Sequence, residues 1–294
     1  MNFQWYPGHM TKAKRMMEEN IKLIDLVIEI VDARIPISSR NPDIDSLAVN
    51  KARIILLNKS DLADDKITNQ WINYFNENNI YCLKLNSRNN SGIKQVNGLI
   101  MTACADKIER NKQRGILNRP IRAMVVGIPN VGKSTFINSY AGKASAKTGN
   151  KPGVTKGKQW IKLNKNVELL DTPGILWPKF DNQEVGKRLA MIGSMNDEIL
   201  NVEELAIDTI KNIYSEYSDN VIERYGLDKE KTAASYDENA INPDNSVALY
   251  IMEQAAVKRG CIKKGNNIDY EKISNIILDD FRSGRLGRIS LETP

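Results

Sequence analysis

Short apolar runs alternate with longer amphipathic segments over the first 170 residues of the chain. The runs predict buried strands at residues 26–31, 53–57, 81–85, 121–126, 159–163 and 167–170. The segments between them predict helices at about residues 46–50, 65–78, 92–111 and 131–141. Strands that alternate with helices are typical of a mainly parallel sheet covered on both faces. The last two strands, only three residues apart, predict an antiparallel hairpin at the sheet edge.

The β pattern ends after Pro178. Beyond it, helical periodicity predicts helices at residues 183–192, 202–225, 246–258 and 270–283, with breaks at Gly226 and at Asn242-Pro243. We therefore expect an α/β domain over residues 1–178 and an all-α domain over residues 179–294.

Composition indicates a globular protein of the cytoplasm with no membrane segment. Of the 294 residues, 41% are hydrophobic and 27% charged, and no apolar run approaches the ~18 residues of a membrane span. Cys82, Cys104 and Cys261 are widely spaced and odd in number, which favours reduced structural thiols over a disulfide or metal pattern.

The net charge of +6 is unevenly distributed. Lysines without acids occupy residues 141–167, acids predominate from 180 to 245, and basic residues return near the C-terminus. The late basic residues are Lys258, Arg259, Lys263, Lys264, Arg282, Arg285 and Arg288. Such clusters are compatible with a solvated surface and also with an RNA partner.

A phosphate-binding loop is the first chemical motif. Gly127 and Gly132-Lys133-Ser134, with four residues between the two glycines, follow a predicted strand and open a predicted helix. Backbone N–H groups of Asn130, Val131, Gly132 and the first helical turn, including Thr135, would surround the phosphates. Lys133 would contact the β- and γ-phosphates, and the Ser134 hydroxyl would bind Mg²⁺.

Two further segments complete a γ-phosphate and magnesium site. Asp171-Thr172-Pro173-Gly174 follows the last predicted strand; Asp171 would hold Mg²⁺ through water, and the Gly174 N–H would meet the γ-phosphate. Thr155, between this segment and the phosphate loop, is a candidate second hydroxyl ligand, although it would also suit an ordinary loop. Loops that contact the γ-phosphate loosen after hydrolysis.

A guanine-reading signature, Asn58-Lys59-Ser60-Asp61, ends the second predicted strand. The Asp61 carboxylate can accept from guanine N1–H and the 2-amino group, which adenine cannot supply. Asn58 can contact the other base edge, and the Lys59 stem can cover the base face. Asn86-Ser87-Arg88, after the next strand, corresponds to a backbone contact to the base.

The order of these motifs is reversed, because the guanine reader precedes the phosphate loop. Together they predict a circularly permuted P-loop GTPase fold. The whole chain resembles the bacterial ribosome biogenesis GTPase A family of circularly permuted GTPases. The resemblance rests on six features in order: Trp5–Met10, Asn58–Asp61, Gly127–Ser134, Pro152–Thr155, Asp171–Pro178 and the helical C-terminal part.

That resemblance implies a GTP-hydrolysing switch that binds GTP, GDP and Mg²⁺ and acts in late assembly of the large ribosomal subunit. It also implies that the partners are the large subunit and its rRNA, the latter bound by the C-terminal domain. We expect a monomer whose turnover is slow until a ribosomal particle completes the site.

The water-orienting group is not evident, because Ile175 follows Gly174 where other GTPases have glutamine. His9, the single histidine, matches a residue that the family associates with catalysis; a neutral imidazole can orient water or accept its proton. It would equally suit a turn that starts a helix. Asn130 is a candidate ligand for a K⁺ ion that offsets phosphate charge, or it shapes the loop.

Three other functions compete with this interpretation. An RNA-binding module with a degenerate nucleotide site would not need Lys133, Ser134, Asp61 and Asp171 together. A P-loop kinase for a small metabolite would leave the guanine reader unexplained. A GTPase of tRNA modification or translation remains compatible with the motifs.

Overall fold

The computed structural model describes residues 15, 17–142, 159–163, 165–171 and 182–294. They form two compact units. The sheet unit comprises the described residues up to Gly186 together with Glu292–Pro294, and the helical unit runs from Lys187 to Leu291.

The sheet unit is built on six strands in the order β3-β2-β1-β4-β6-β5. Parallel pairing joins β3 to β2, β2 to β1, β1 to β4 and β4 to β6, whereas β5 pairs antiparallel with β6 at the edge. The predicted mainly parallel sheet and edge hairpin are thus confirmed. The strands are β1 Leu26–Asp32, β2 Ala52–Asn58, β3 Tyr81–Lys84, β4 Ile121–Gly127, β5 Gln159–Lys162 and β6 Val167–Asp171.

Helices connect these strands: α1 Asp43–Leu47, α2 Asp65–Glu77, α3 Ile93–Ala103, α4 Ala105–Gln113 and α5 Lys133–Ala141. Residues 17–21 are also helical. The Asp64 side chain caps α2 by accepting from the backbone N–H groups of Lys66 and Ile67, which satisfies donors that have no partner within the helix.

Two apolar clusters pack against one face of the sheet. Val27 packs with Met124, Val126 and Leu170 from neighbouring strands and with Ile44 of α1. Farther along β1, Val31 packs with Ile55 and Leu57 and with Trp71 and Phe75 of α2. Since side chains alternate along a strand, the opposite face of the sheet carries the buried residues Ile28, Ile30, Ile54 and Leu56.

Two predicted helices differ from the structure. The helix expected over residues 92–111 is interrupted at Cys104, whose φ of −105° and ψ of 11° depart from helical values at the α3–α4 junction.

 The helix expected at residues 46–50 begins and ends earlier, at Asp43–Leu47. Asn50, with φ of 64°, adopts a left-handed conformation in the turn that follows it.

A sixth helix, α6 Gln183–Met191, crosses from the sheet unit into the helical unit at Lys187. The helical unit then contains α7 Val202–Tyr225, α8 Lys229–Ala233, α9 Ser246–Lys258 and α10 Tyr270–Arg282. This confirms the predicted helical C-terminal region. Two details were not predicted: the short helix α8, and a hairpin of two-residue strands, β7 Ile262–Lys263 and β8 Asn267–Ile268, between α9 and α10.

Arginine–carboxylate pairs hold the helical unit together. Arg282 donates to both carboxylate oxygens of Asp197, at 2.6 and 2.8 Å, and to the carbonyl oxygens of Ala190 and Met191 at the end of α6. Arg224 makes a similar bidentate pair with buried Asp280, at 2.8 and 2.9 Å. Paired hydrogen bonds of this kind fix orientation as well as adding stability.

All three cysteines are buried free thiols, as expected from their spacing. Burial raises the pKa of Cys82 and of Cys104 to about 12, so both remain protonated at neutral pH. Within the part of the chain that the structure describes, no helix is both long and apolar enough to cross a membrane.

Candidate nucleotide-binding site

The guanine-reading and phosphate-loop motifs meet at one edge of the sheet. Asn58 is the last residue of β2, Gly127 is the last residue of β4, and β1 lies between these two strands. Because all three strands are parallel, their carboxyl ends share one edge, where open α/β sheets bind ligands. The reversed order in the chain is therefore compatible with one continuous site.

Asn58 joins the two motifs through its side-chain amide. Its Nδ2 donates to the carbonyl oxygen of Val131 in the phosphate loop at 2.8 Å. Its Oδ1 accepts from the backbone N–H of Ser87 at 3.0 Å and from the Ser87 hydroxyl at 2.9 Å. Asn58 is only 2% exposed, so these three bonds satisfy a buried amide and connect three loops.

The phosphate loop approaches its neighbours closely at both glycines. A Cβ on Gly127 would lie 2.7 Å from the carbonyl oxygen of Ile30, and a Cβ on Gly132 would lie 2.3 Å from Asn58 Nδ2. Gly132 also has φ of 93°, a backbone conformation that residues other than glycine rarely adopt. Asn130 has φ of 60°. These two positions curl the loop before α5 begins at Lys133.

The first turn of α5 carries the remaining predicted phosphate ligands. Lys133 is 6% exposed, Val131 is buried, and Ser134 and Thr135 are half-buried. A helix N-terminus preceded by a curled loop presents several backbone N–H groups in one direction, an arrangement that suits a phosphate.

Lys59, directly after β2, belongs to an ionic cluster centred on buried Asp32, the last residue of β1. Its φ is 58°, and its Nζ lies 3.0 Å from Asp32 Oδ2. Arg34 donates to the same carboxylate through Nε at 2.9 Å and Nη2 at 2.8 Å. Although burial opposes ionisation, the two cations hold the pKa of Asp32 well below its usual range. Burial lowers the pKa of Lys59, and the Asp32 carboxylate opposes that shift.

The third loop, Asn86-Ser87-Arg88, is held by its own side chains and by α5. Asn86 Oδ1 accepts from the backbone N–H of Arg88 at 2.8 Å. Ser139 of α5 donates its hydroxyl to the Ser87 carbonyl oxygen at 2.6 Å. The loop therefore lies beside Asn58, as expected for a segment that contacts the base, while Asp61 is exposed.

Several predicted site residues lie outside the described residues: His9, Thr155 and Gly174. Asp171 is described only as the last residue of β6, where its backbone is opposite Val125 of β4. Ser134, in the first turn of α5, and Asp171, the last residue of β6, thus lie at the same edge of the sheet. Hydroxyl and carboxylate oxygens are the donors that Mg²⁺ prefers, so this donor set fits a magnesium ion.

Sequence reasoning missed three contributors to the site: Asp32, Arg34 and Ser139. Asp32 and Arg34 have a local signal, since opposite charges two residues apart at the end of a mainly apolar strand mark the carboxyl end of that strand. Ser139 offers no comparable signal, because an isolated serine within a helix has no distinctive pattern.

Comparison with known proteins agrees with this geometry. Residues 122–235 match the family model described as 50S ribosome-binding GTPase. Ribosome biogenesis GTPase A of Bacillus cereus is 46% identical over 294 residues, spanning 100% of this chain and 95% of the relative. The protein of the same name from Thermotoga maritima is 32% identical, over 99% of this chain and 94% of its own.

Solved structures show the same fold. A GDP-bound YlqF structure is similar with a TM-score of 0.65 and 26% identity, covering 95% of this chain and 99% of that one. A GNP-bound YlqF from T. maritima has a TM-score of 0.61 at 26% identity, with 96% and 98% coverage. The chain therefore belongs to the ribosome biogenesis GTPase A family and is a GTP hydrolase.

Proposed function

We propose that the protein is a GTP-driven switch in late assembly of the large ribosomal subunit. The observation that carries this proposal is the Asn58 side chain, which bonds both to the phosphate loop and to Ser87. Such a link suits a nucleotide whose base and phosphates are both recognised. The names of the relatives, ribosome biogenesis GTPase A, supply the process.

Guanine is read, in this proposal, by Asn58, Lys59 and Asp61 with the Asn86–Arg88 loop. Asp61 accepts from N1–H and the 2-amino group of the base, while the Lys59 stem covers the base face. Adenine would leave the Asp61 carboxylate without donors, a loss of several kcal/mol. Competition of GDP, IDP and ADP for the site tests this assignment: IDP, which lacks the 2-amino group, should bind between the other two.

The phosphates are held by the backbone from Asn130 to Thr135 and by Lys133. Ser134, Thr155 and Asp171 would hold Mg²⁺, which supplies charge neutralisation for the departing phosphoryl group. Gly174 would sense the γ-phosphate through its N–H. Loss of GTP binding in Lys133→Ala with retained folding is the expected result.

Hydrolysis uses His9 to orient water, since Ile175 cannot polarise it. We expect His9→Ala to slow particle-stimulated turnover with little change in GTP affinity; unchanged turnover contradicts this role. Asn130 is proposed to help bind K⁺ beside the phosphates, and equal activity in K⁺ and Na⁺ contradicts that part.

The domain division proposed is a GTPase domain over residues 1–178 and an RNA-binding domain over 179–294. Two groups of basic residues in the helical unit differ in their contacts. Arg282 and Arg285 pair with Asp197, Asp279 and Asp280. Lys258, Arg259, Lys263 and Lys264 are exposed around the β7–β8 hairpin, and we call these four the basic hairpin surface.

The basic hairpin surface is the proposed rRNA contact. Lys258 and Arg259 donate to the Gly226 and Arg224 carbonyl oxygens at the end of α7, so both are oriented while exposed. Lys263 lies 3.3 Å from Asp269, and Lys264 is next to the turn, where Gly265 has φ of 88°. Each phosphate contact by such a side chain makes affinity fall steeply with salt.

Co-sedimentation of the full-length protein with large subunits, in GTP and in GDP, tests the whole proposal. We expect binding as a monomer, dependence on the nucleotide, and faster turnover on the particle. The double variant K263E/K264E should lose subunit binding while intrinsic GTP hydrolysis is kept. Equal affinity in both nucleotides contradicts the switch, and unchanged binding of the variant contradicts the hairpin contact.

A further inference from the structure

The C-terminal tail, Glu292–Pro294, packs with the sheet unit although it follows the helical unit in the chain. The Glu292 carboxylate accepts from the backbone N–H of Ile37 at 2.8 Å and of Ser38 at 3.1 Å, and also from the Ser38 hydroxyl. A carboxylate that receives three donors makes charge-assisted hydrogen bonds, which are stronger than neutral ones.

A second contact holds the tail backbone. Trp71 of α2 donates its Nε1–H to the Glu292 carbonyl oxygen at 3.1 Å. Trp71 is buried and stacks on Phe75 with ring centroids 5.7 Å apart. Glu292 is itself buried. The tail thus contacts Trp71 of α2 on one side and the loop containing Ile37 and Ser38 on the other.

That loop leads directly to the guanine reader. It begins after Asp32, whose backbone N–H donates to Ser39 Oγ at 3.0 Å, and Ser39 donates in turn to the Ile35 carbonyl oxygen at 2.7 Å. Asp32 pairs with Lys59 at 3.0 Å. Glu292 therefore holds Ser38, the neighbour of Ser39. Ser39 in turn bonds to Asp32, which pairs with Lys59.

The far end of the loop is fixed independently. Arg40 pairs with buried Glu29 at 3.1 Å and with Asp45 of α1 at 2.7 Å. Arg40 and Asp32 are thus both anchored, and the segment between them contains Ile37 and Ser38, which donate to Glu292.

We propose that Glu292 is a positioning residue for the guanine reader and that the tail acts as a latch on the base side of the nucleotide. Because residue 291 ends the helical unit, a partner that pulls on this unit would withdraw Glu292, loosen the loop and speed nucleotide release. This inference rests on the proposed role of Lys59 in covering the base.

Release of a fluorescent GDP analogue from the full-length protein tests the latch. We expect Glu292→Gln, which keeps the size of the side chain and removes its charge, to release the analogue about tenfold faster, equivalent to about 1.4 kcal/mol. Glu271→Gln, a matched change at an exposed glutamate of α10, should release at the wild-type rate. Unchanged release in Glu292→Gln, with or without a fall in melting temperature, overturns the proposal.

A double-mutant cycle with Lys59→Ala identifies the route of the effect. If Glu292 acts through Lys59, Glu292→Gln accelerates release in the wild-type background and has little further effect in Lys59→Ala. Additive effects overturn the proposed route. If Lys59→Ala alone leaves release unchanged, the proposed role of Lys59 fails instead, which separates the two failures.

Discussion

Replacing Asn58 by alanine should destabilise the sheet unit even without nucleotide. The substitution removes three hydrogen bonds and leaves the Val131 carbonyl and the Ser87 N–H and hydroxyl without this partner. An unsatisfied buried polar group costs about 1–3 kcal/mol, and water that enters the vacated space recovers part of that cost. We expect a net loss of about 3 kcal/mol in the free energy of unfolding.

Tryptophan fluorescence is a suitable assay, because all four tryptophans lie before Gly186: Trp5, Trp71, Trp160 and Trp177. Urea unfolding is followed in nucleotide-free buffer, so that ligand binding adds nothing to stability. For a unit of this size, about 3 kcal/mol lowers the melting temperature by roughly 6–12 °C.

Asn69→Ala is the matched control. Asn69 is an exposed asparagine of α2 whose Nδ2 donates to Asp65 at 3.3 Å, and surface changes of this kind stay within about 0.5 kcal/mol. Equal unfolding free energies for the two variants would refute the reasoning that Asn58 joins the loops. Loss of GDP affinity without loss of stability would show that Asn58 acts on the nucleotide alone.

Three further predictions follow from single contacts. Gly132→Ala should abolish GTP binding in a titration, since its Cβ would lie 2.3 Å from Asn58 Nδ2 at φ of 93°; retained affinity contradicts the close approach. Asp32→Asn should cost about 3–5 kcal/mol at pH 7, because it removes the carboxylate that pairs with the buried Arg34 guanidinium. Because the folded pKa of Asp32 is lowered, the wild-type advantage is complete above the unfolded pKa of about 4 and shrinks below it, which urea unfolding at pH 7 and pH 3 measures. Arg282→Lys should lower the melting temperature of the helical unit, followed by circular dichroism, because an ammonium cannot reproduce four directed bonds.

Local patterns in the sequence determined much of the fold. The apolar runs at β1, β2 and β4 are buried on both faces of a parallel sheet. Such strands can be recognised from sequence because they are nearly continuous apolar runs, without alternating polar residues. The phosphate loop was equally readable, because Gly127, Gly132 and Lys133 are required by backbone geometry and charge within eight residues. Boundaries were less certain: Cys104 interrupts a helix that periodicity alone continues.

Only the tertiary structure determined the contacts between residues that are distant in the chain. Asn58 and Val131 are 73 residues apart, and Ser38 and Glu292 are 254 apart. Hydrophobic periodicity reports which face of an element is buried, and motif spacing reports local backbone geometry. Neither contains the pairing of one polar side chain with a distant loop, because that pairing depends on the strand order and on how the chain ends pack. The sequence by itself therefore determined the elements and the nucleotide motifs, and the fold decided which residues hold them in place.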